Sequence, residues 1–199
     1  MVASLAPAFA EPVLEAQSIF RSVMNAMSRP GIVLDLRTDL SPPVPLSAGA
    51  AAVALTLLDY ETPVWLDRSL AEADDVSRWL RFHTGASITN DPQQATFALI
   101  ADTVSAPDFG RFALGTPEYP DRSTTLILQV ESLSDGHSMV LRGPGVNGVQ
   151  MLSVAPLPDD VIGRMAQNRA LYPRGIDVLL VTDHALAAIP RSTRIEGSA

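Results

Sequence analysis

The hydrophobic pattern of this chain changes period along its length, and that change limits the folds open to it. Up to about residue 123, segments with helical period alternate with short β-branched runs; from Thr124 the pattern turns mainly to strands. Such a chain builds a mixed α/β domain in which a central sheet is flanked by helices. At 199 residues, with 47% of them hydrophobic, it has the material for one shared core. No repeat, low-complexity tract or composition break divides it, so residues 1–199 are read as one domain, with the first ten or so flexible.

The elements follow from period and punctuation. A helix is expected over 12–28, with Phe20, Val23, Met24 and Met27 on one face and Pro12 in its first turn. Pro30-Gly31 ends it, and 32–36 reads as a strand. Pro42, Pro43 and Pro45 make 40–46 a connector to an alanine-rich helix over 47–59, with Ser47 as its N-cap. A strand at 64–66 precedes a helix over 70–83, whose acids come early and bases late and which Gly85 stops. Further expectations are a strand at 96–100, a short helix at 107–114 and a loop at 115–122. Strands at 124–133 and 138–142 are expected to be joined by an Asp135-Gly136 hairpin, with a third strand at 148–154. A helix at 158–168 and strands at 176–182 and 185–189 complete the chain.

Composition excludes several chemistries. There is no cysteine and no lysine, so the chain forms no thiolate, ligates no iron-sulfur cluster and holds no pyridoxal phosphate (PLP) aldimine; no cofactor is expected. A Walker A loop is excluded because it needs a lysine. A net charge of -8 argues against a nucleic-acid partner. No apolar run reaches the roughly 18 residues of a membrane span. Ala8-Phe9-Ala10 resembles a signal cleavage site, but Pro7 interrupts the apolar run and the first basic residue is Arg21, so a cytoplasmic protein is expected.

The remaining constellations are sparse. Gly143, Gly145 and Gly148 fit the spacing G-x-G-x-x-G, yet strand-like residues follow where a dinucleotide site needs a helix N-terminus; the simpler reading is a tight turn, with Arg142, Gly143 and Gly145 as partner or anion contacts. Arg78, Arg81 and His83 form a candidate anion site, against the simpler role of complementing a helix dipole. Arg191 is a further candidate contact; it and Arg194 otherwise belong to a solvated tail. His83, His137 and His184 show no metal-ligand spacing, and no G-x-S-x-G elbow marks a nucleophile. Asp59, Asp67, Asp74 and Asp75 read as solvated turn and helix carboxylates.

An ordered set of segments carries a resemblance. Phe20-Arg21-Ser22-Val23-Met24-Asn25-Ala26-Met27-Ser28-Arg29-Pro30-Gly31 is followed by Leu55-Thr56-Leu57-Leu58-Asp59, Thr62-Pro63-Val64-Trp65-Leu66 and Leu80-Arg81-Phe82-His83-Thr84. Then come Thr125-Leu126-Ile127-Leu128-Gln129-Val130, Leu141-Arg142-Gly143-Pro144-Gly145, Pro173-Arg174-Gly175-Ile176-Asp177 and Ala188-Ile189-Pro190-Arg191-Ser192-Thr193. Over 9–196 the chain resembles the PhnH family, a component of the carbon-phosphorus lyase core complex. The resemblance implies a fold similar to the large domain of PLP-dependent transferases, without the cofactor. It implies a cytoplasmic, non-catalytic protein that works with subunits G, I and J in phosphonate catabolism and forms a homodimer when isolated. The pathway step implied is the ATP-dependent formation of ribose 1-phosphonate 5-triphosphate, upstream of carbon-phosphorus bond cleavage. The alternative is a stand-alone phosphonate- or nucleotide-binding protein or enzyme that uses an Arg/His anion site.

Overall fold

Helix α1 (Pro12–Ser28) starts on Pro12, whose missing N–H is no loss in a first turn. Its buried residues are Ile19, Val23 and Ala26, spaced i, i+4, i+7. Phe20 and Met24, expected on that face, are about half exposed. Ala26 explains the offset: its small side chain lets α1 lie close on α2 (Ala48–Leu57), which is itself half alanine. Ser47 caps α2 as expected, accepting from the Ala50 N–H at 3.2 Å.

The computed structural model describes residues 6–197. Strands β1 (Leu34–Asp35), β2 (Val64–Leu66), β3 (Ile88–Thr89), β4 (Phe97–Ile100), β5 (Thr125–Gln129), β8 (Asp177–Val181) and β9 (Ala185–Ile189) form a seven-stranded sheet in the order β1-β9-β8-β5-β4-β2-β3. Pairings among β2, β3, β4, β5 and β8 are parallel, and β9 runs antiparallel to both its neighbours. A second, antiparallel sheet holds β6 (Ser132–Arg142) between β7 (Gln150–Ala155) and β10 (Arg194–Gly197). The remaining helices are α3 (Arg68–Ala71), α4 (Asp74–Thr84) and α5 (Val161–Ala170).

Both faces of the large sheet are buried, which is why its central strands are continuously apolar. On one face Leu99, Ile127, Leu179 and Val181 pack with α1, α2 and α4. On the other, Ala98, Ile100, Leu126, Leu128, Val178 and Leu180 pack with the small sheet and α5. The result is a mixed α/β arrangement in layers, with helices on one side and a second sheet plus a helix on the other. Among the described residues no helix is long and apolar enough to cross a membrane.

Several local expectations are corrected. The helix expected over 70–83 is split, because Asp67 caps a separate one-turn α3 and α4 begins only at Asp74. Gly85 does end α4, in the left-handed conformation. The expected helix at 107–114 is a single 3-10 turn, Phe109–Arg111. Asp135-Gly136 makes no hairpin between neighbouring strands; it lies in an irregularity within β6, and β5 pairs in the other sheet. The tail at 191–194 is not loose, since Arg191 is held by Asp177, Thr193 is buried and β10 pairs with β6, although Arg194 itself stays exposed as expected. Of the ten-residue lead expected to be flexible, residues 1–5 lie outside the described residues, while Ala6 and Phe9 pack against the core.

Candidate functional site

Parallel strands bring their carboxyl ends to one edge of the sheet, where open α/β folds place their ligand crevices. Here that edge carries a cavity of about 490 Å³ lined by Ser47, Ala101, Gln129, Glu131, Thr182 and His184, among others. Helix α2 begins at its rim, and a free helix N-terminus would make it a phosphate site. It is not free. Gln129 Oε1 accepts from the Ser47 N–H at 2.8 Å, and Asp183 Oδ1 accepts from the Ala48 N–H at 3.0 Å. Gln129 also donates through Nε2 to the Pro45 carbonyl at 3.0 Å. The exposed groups that remain, Glu131 and His184, suit hydroxyl or amine donors better than an anion.

Asp67 lies at the same edge and is buried, not solvated as expected. Its carboxylate accepts from Ser69 Oγ at 2.9 Å, Leu70 N–H at 3.0 Å, Ala101 N–H at 2.9 Å and Asp102 N–H at 2.8 Å. Four donors occupy its two oxygens. It fastens the exit of β2 to that of β4.

The expected anion cluster on α4 divides. Arg78 and Arg81 share a shallow depression with Asp74, Ser77 and Phe82, all on one exposed helix face, and Arg78 pairs with Asp75 at 3.3 Å. His83 is turned elsewhere. Its Nε2 donates to the Ala6 carbonyl at 3.1 Å, beside Trp79 Nε1, which donates to the same oxygen at 2.8 Å. The two rings lie 4.9 Å apart, so His83 secures the N-terminal segment instead of completing a ligand site.

The glycine-rich loop joins β6 to antiparallel β7, and no helix follows it, as expected of a tight turn. What fixes its glycines is close packing. A Cβ on Gly145 would lie 2.1 Å from the Ser28 carbonyl, and one on Gly143 would lie 3.2 Å from that of Ser192. Gly31 in turn abuts Leu141 and Gln150. Three segments of the family pattern therefore meet at one joint: the end of α1, the β6–β7 loop and the stretch before β10. Arg142 is exposed at its margin.

Arg191 is consumed internally. Its guanidinium donates to both oxygens of Asp177, to Ser123 Oγ at 2.6 Å and to the Pro120 carbonyl, with 14% of its side chain and of Asp177's exposed. It binds the start of β8, the end of β9 and the 3-10 turn Pro120–Arg122 together. Sequence reasoning missed this because Asp177 stands 14 positions away with no local spacing to mark the pair.

His137 donates to the Leu157 carbonyl at 3.2 Å and His184 stands at the crevice. Among the described residues no group of three or more His, Cys, Asp or Glu side chains could hold a metal ion.

These features define an α/β domain whose best-connected polar residues act as joints between elements. Residues 7–196 match the family model described as bacterial phosphonate metabolism protein (PhnH). The chain is 46% identical over 189 residues to the alpha-D-ribose 1-methylphosphonate 5-triphosphate synthase subunit PhnH of Rhizobium meliloti (strain 1021), covering 95% of this chain and 94% of that protein. It is also 27% identical over 183 residues to HtxG of Stutzerimonas stutzeri, a protein named for a C-P lyase subunit, covering 90% and 85%. The chain belongs to the PhnH family.

Proposed function

We propose that this chain is the non-catalytic PhnH component of the enzyme complex that forms alpha-D-ribose 1-methylphosphonate 5-triphosphate, upstream of carbon-phosphorus bond cleavage. The observation that carries this reading is the end-to-end match to a relative named as that component. The polar clusters support it, because Asp67, Arg191 and His83 are occupied in holding elements together and offer no acid, base or nucleophile. On α4 the stand-alone anion-binding reading loses His83, which bonds to the Ala6 carbonyl, while Arg78 makes only an exposed pair with Asp75.

The partners of this reading are subunits G, I and J in the cytoplasm, with a homodimer when the chain is isolated. Kinship with PLP-dependent transferases is part of the same proposal. Its support is a largely parallel seven-stranded sheet with a crevice at the carboxyl edge. The residues present do not fit PLP itself. There is no lysine for the aldimine, and the first N–H groups of α2 are taken by Gln129 and Asp183.

Deletion of the gene, followed by growth on methylphosphonate as phosphorus source, tests the role. Growth should cease, return with the wild-type chain, and be accompanied by co-purification of this chain with G, I and J. Undiminished growth of the deletion strain, or a fully active complex assembled without this chain, overturns it.

A further inference from the structure

Helix α5 ends beside the edge strand β10, and a cavity of about 300 Å³ lies between them, lined by Ala166, Arg169, Ala170, Arg194 and Ile195. Two methyl groups and an isoleucine make its apolar part; both charged residues are arginines. Neither has a carboxylate partner among the described residues, although the chain carries 22 acidic side chains. The Arg169 guanidinium stands over the Tyr172 ring at 5.0 Å, and its Nε is buried without a hydrogen-bond partner. Arg194 lies directly opposite Arg142 in the β10–β6 pairing, so those two side chains leave the same face of the sheet. Arg142 also lacks an ion pair among the described residues.

Like charges directly opposite on adjacent strands oppose pairing, and an arginine with an unpartnered buried donor adds a desolvation cost. An acidic chain that lines one cavity with two arginines lacking a carboxylate partner among the described residues, and sets a third on the neighbouring strand, holds a site that an anion would complete. We infer that the cavity between α5 and β10 binds the phosphate or phosphonate group of a small molecule between Arg169 and Arg194, with Arg142 adding to the local positive field. Guanidiniums suit this group because their planar forks donate in pairs to its oxygens. Tyr172 holds one fork in place by a cation–π contact. The small volume favours a small oxyanion over a peptide strand.

The inference goes beyond the complex-component reading and does not depend on it. Calorimetric titration of the full chain with inorganic phosphate and with methylphosphonate at low ionic strength tests it. One saturable site at millimolar affinity or tighter is expected. Binding should weaken by about tenfold or more in Arg169→Gln and in Arg194→Gln, which matches the loss of one charge-assisted fork. Arg194→Lys should fall between, and Arg81→Gln, on α4, should bind as wild type. Absence of saturable binding in the wild-type chain, or binding as tight as wild type in either glutamine variant, overturns the inference. So does a result in which phosphate fails to bind while Arg194→Gln impairs capture of partner proteins, because the arginines would then meet an acidic protein surface. Each of these failures leaves the growth and co-purification test of the proposed role unaffected.

Discussion

Gly145 and Gly148 sit three residues apart in one loop and share a left-handed backbone, with φ of 81° and 76°, yet only Gly145 is tightly enclosed. Adding a methyl at Gly148 meets nothing within 4 Å, so Gly148→Ala should cost only the backbone term, about 1–2 kcal/mol. Gly145→Ala adds a clash with the Ser28 carbonyl and should cost about 3–5 kcal/mol. Urea denaturation of both variants decides the matter; equal losses would mean that the approach of the loop to α1 does not constrain Gly145. Arg191 permits a second comparison. It and Asp177 are largely buried, so Asp177→Ala should lose about 3–5 kcal/mol in the same assay, against less than about 1 kcal/mol for an exposed pair. A loss in the lower range would show that water replaces the carboxylate. Both residues stood out in the sequence, the glycine as a turn and the arginine as a candidate contact. What they touch is 117 and 14 positions away, by the pairs Ser28–Gly145 and Asp177–Arg191, and no local spacing encodes such distances.

Elements were legible where their signals are local. Helix α1 has Pro12 at its start, α2 has Ser47 as its cap, and α4 has sorted charges and a terminal glycine; each of these acts within one turn. Elements that exist only through partners were not legible. Two-residue β3 has no pattern of its own, and β10 is a strand because β6 offers it an edge. The Asp-Gly signal at 135–136 misled for the same reason, since β5 finds parallel partners in another sheet. The N-terminus of α2 combines both kinds of control. Ser47 is a local cap, but Gln129 and Asp183 reach it from the ends of β5 and β8. Gln129→Ala and Asp183→Ala should each cost about 1 kcal/mol, seen as a fall of about 2–4 °C in Tm. Because the two caps are neighbours, the double variant should depart from simple additivity. An unchanged Tm in both single variants would show that water caps these N–H groups equally well.

At the scale of the whole molecule, the candidate site was less legible than the family. The segments that mark the family are spread along the chain and converge on joints such as Ser28–Gly145 and Asp177–Arg191, so they could be recognised in order without disclosing what they hold together. The same joints bear on cooperativity. The two hydrophobic clusters occupy opposite faces of one sheet and share its strands, with Leu99 facing one way and Ala98 and Ile100 the other. Loosening either face therefore frees strands on which the other depends, and the chain should unfold as one unit. Its two tryptophans report on the two sides: Trp79 is buried in the helical cluster, and Trp65 packs against the other, 5.4 Å from Phe112. Single-tryptophan variants made by Trp65→Phe and Trp79→Phe should each show a denaturation midpoint that coincides with that of far-ultraviolet circular dichroism. Met139→Ala removes a fully buried side chain on the Trp65 side and should cost about 2–5 kcal/mol. Placed in the Trp65→Phe background, it should move the midpoint seen by distant Trp79 as far as it moves the circular dichroism midpoint. A Trp79 transition that stays in place while the other moves would divide the chain into two separately stable layers and refute the single-domain reading.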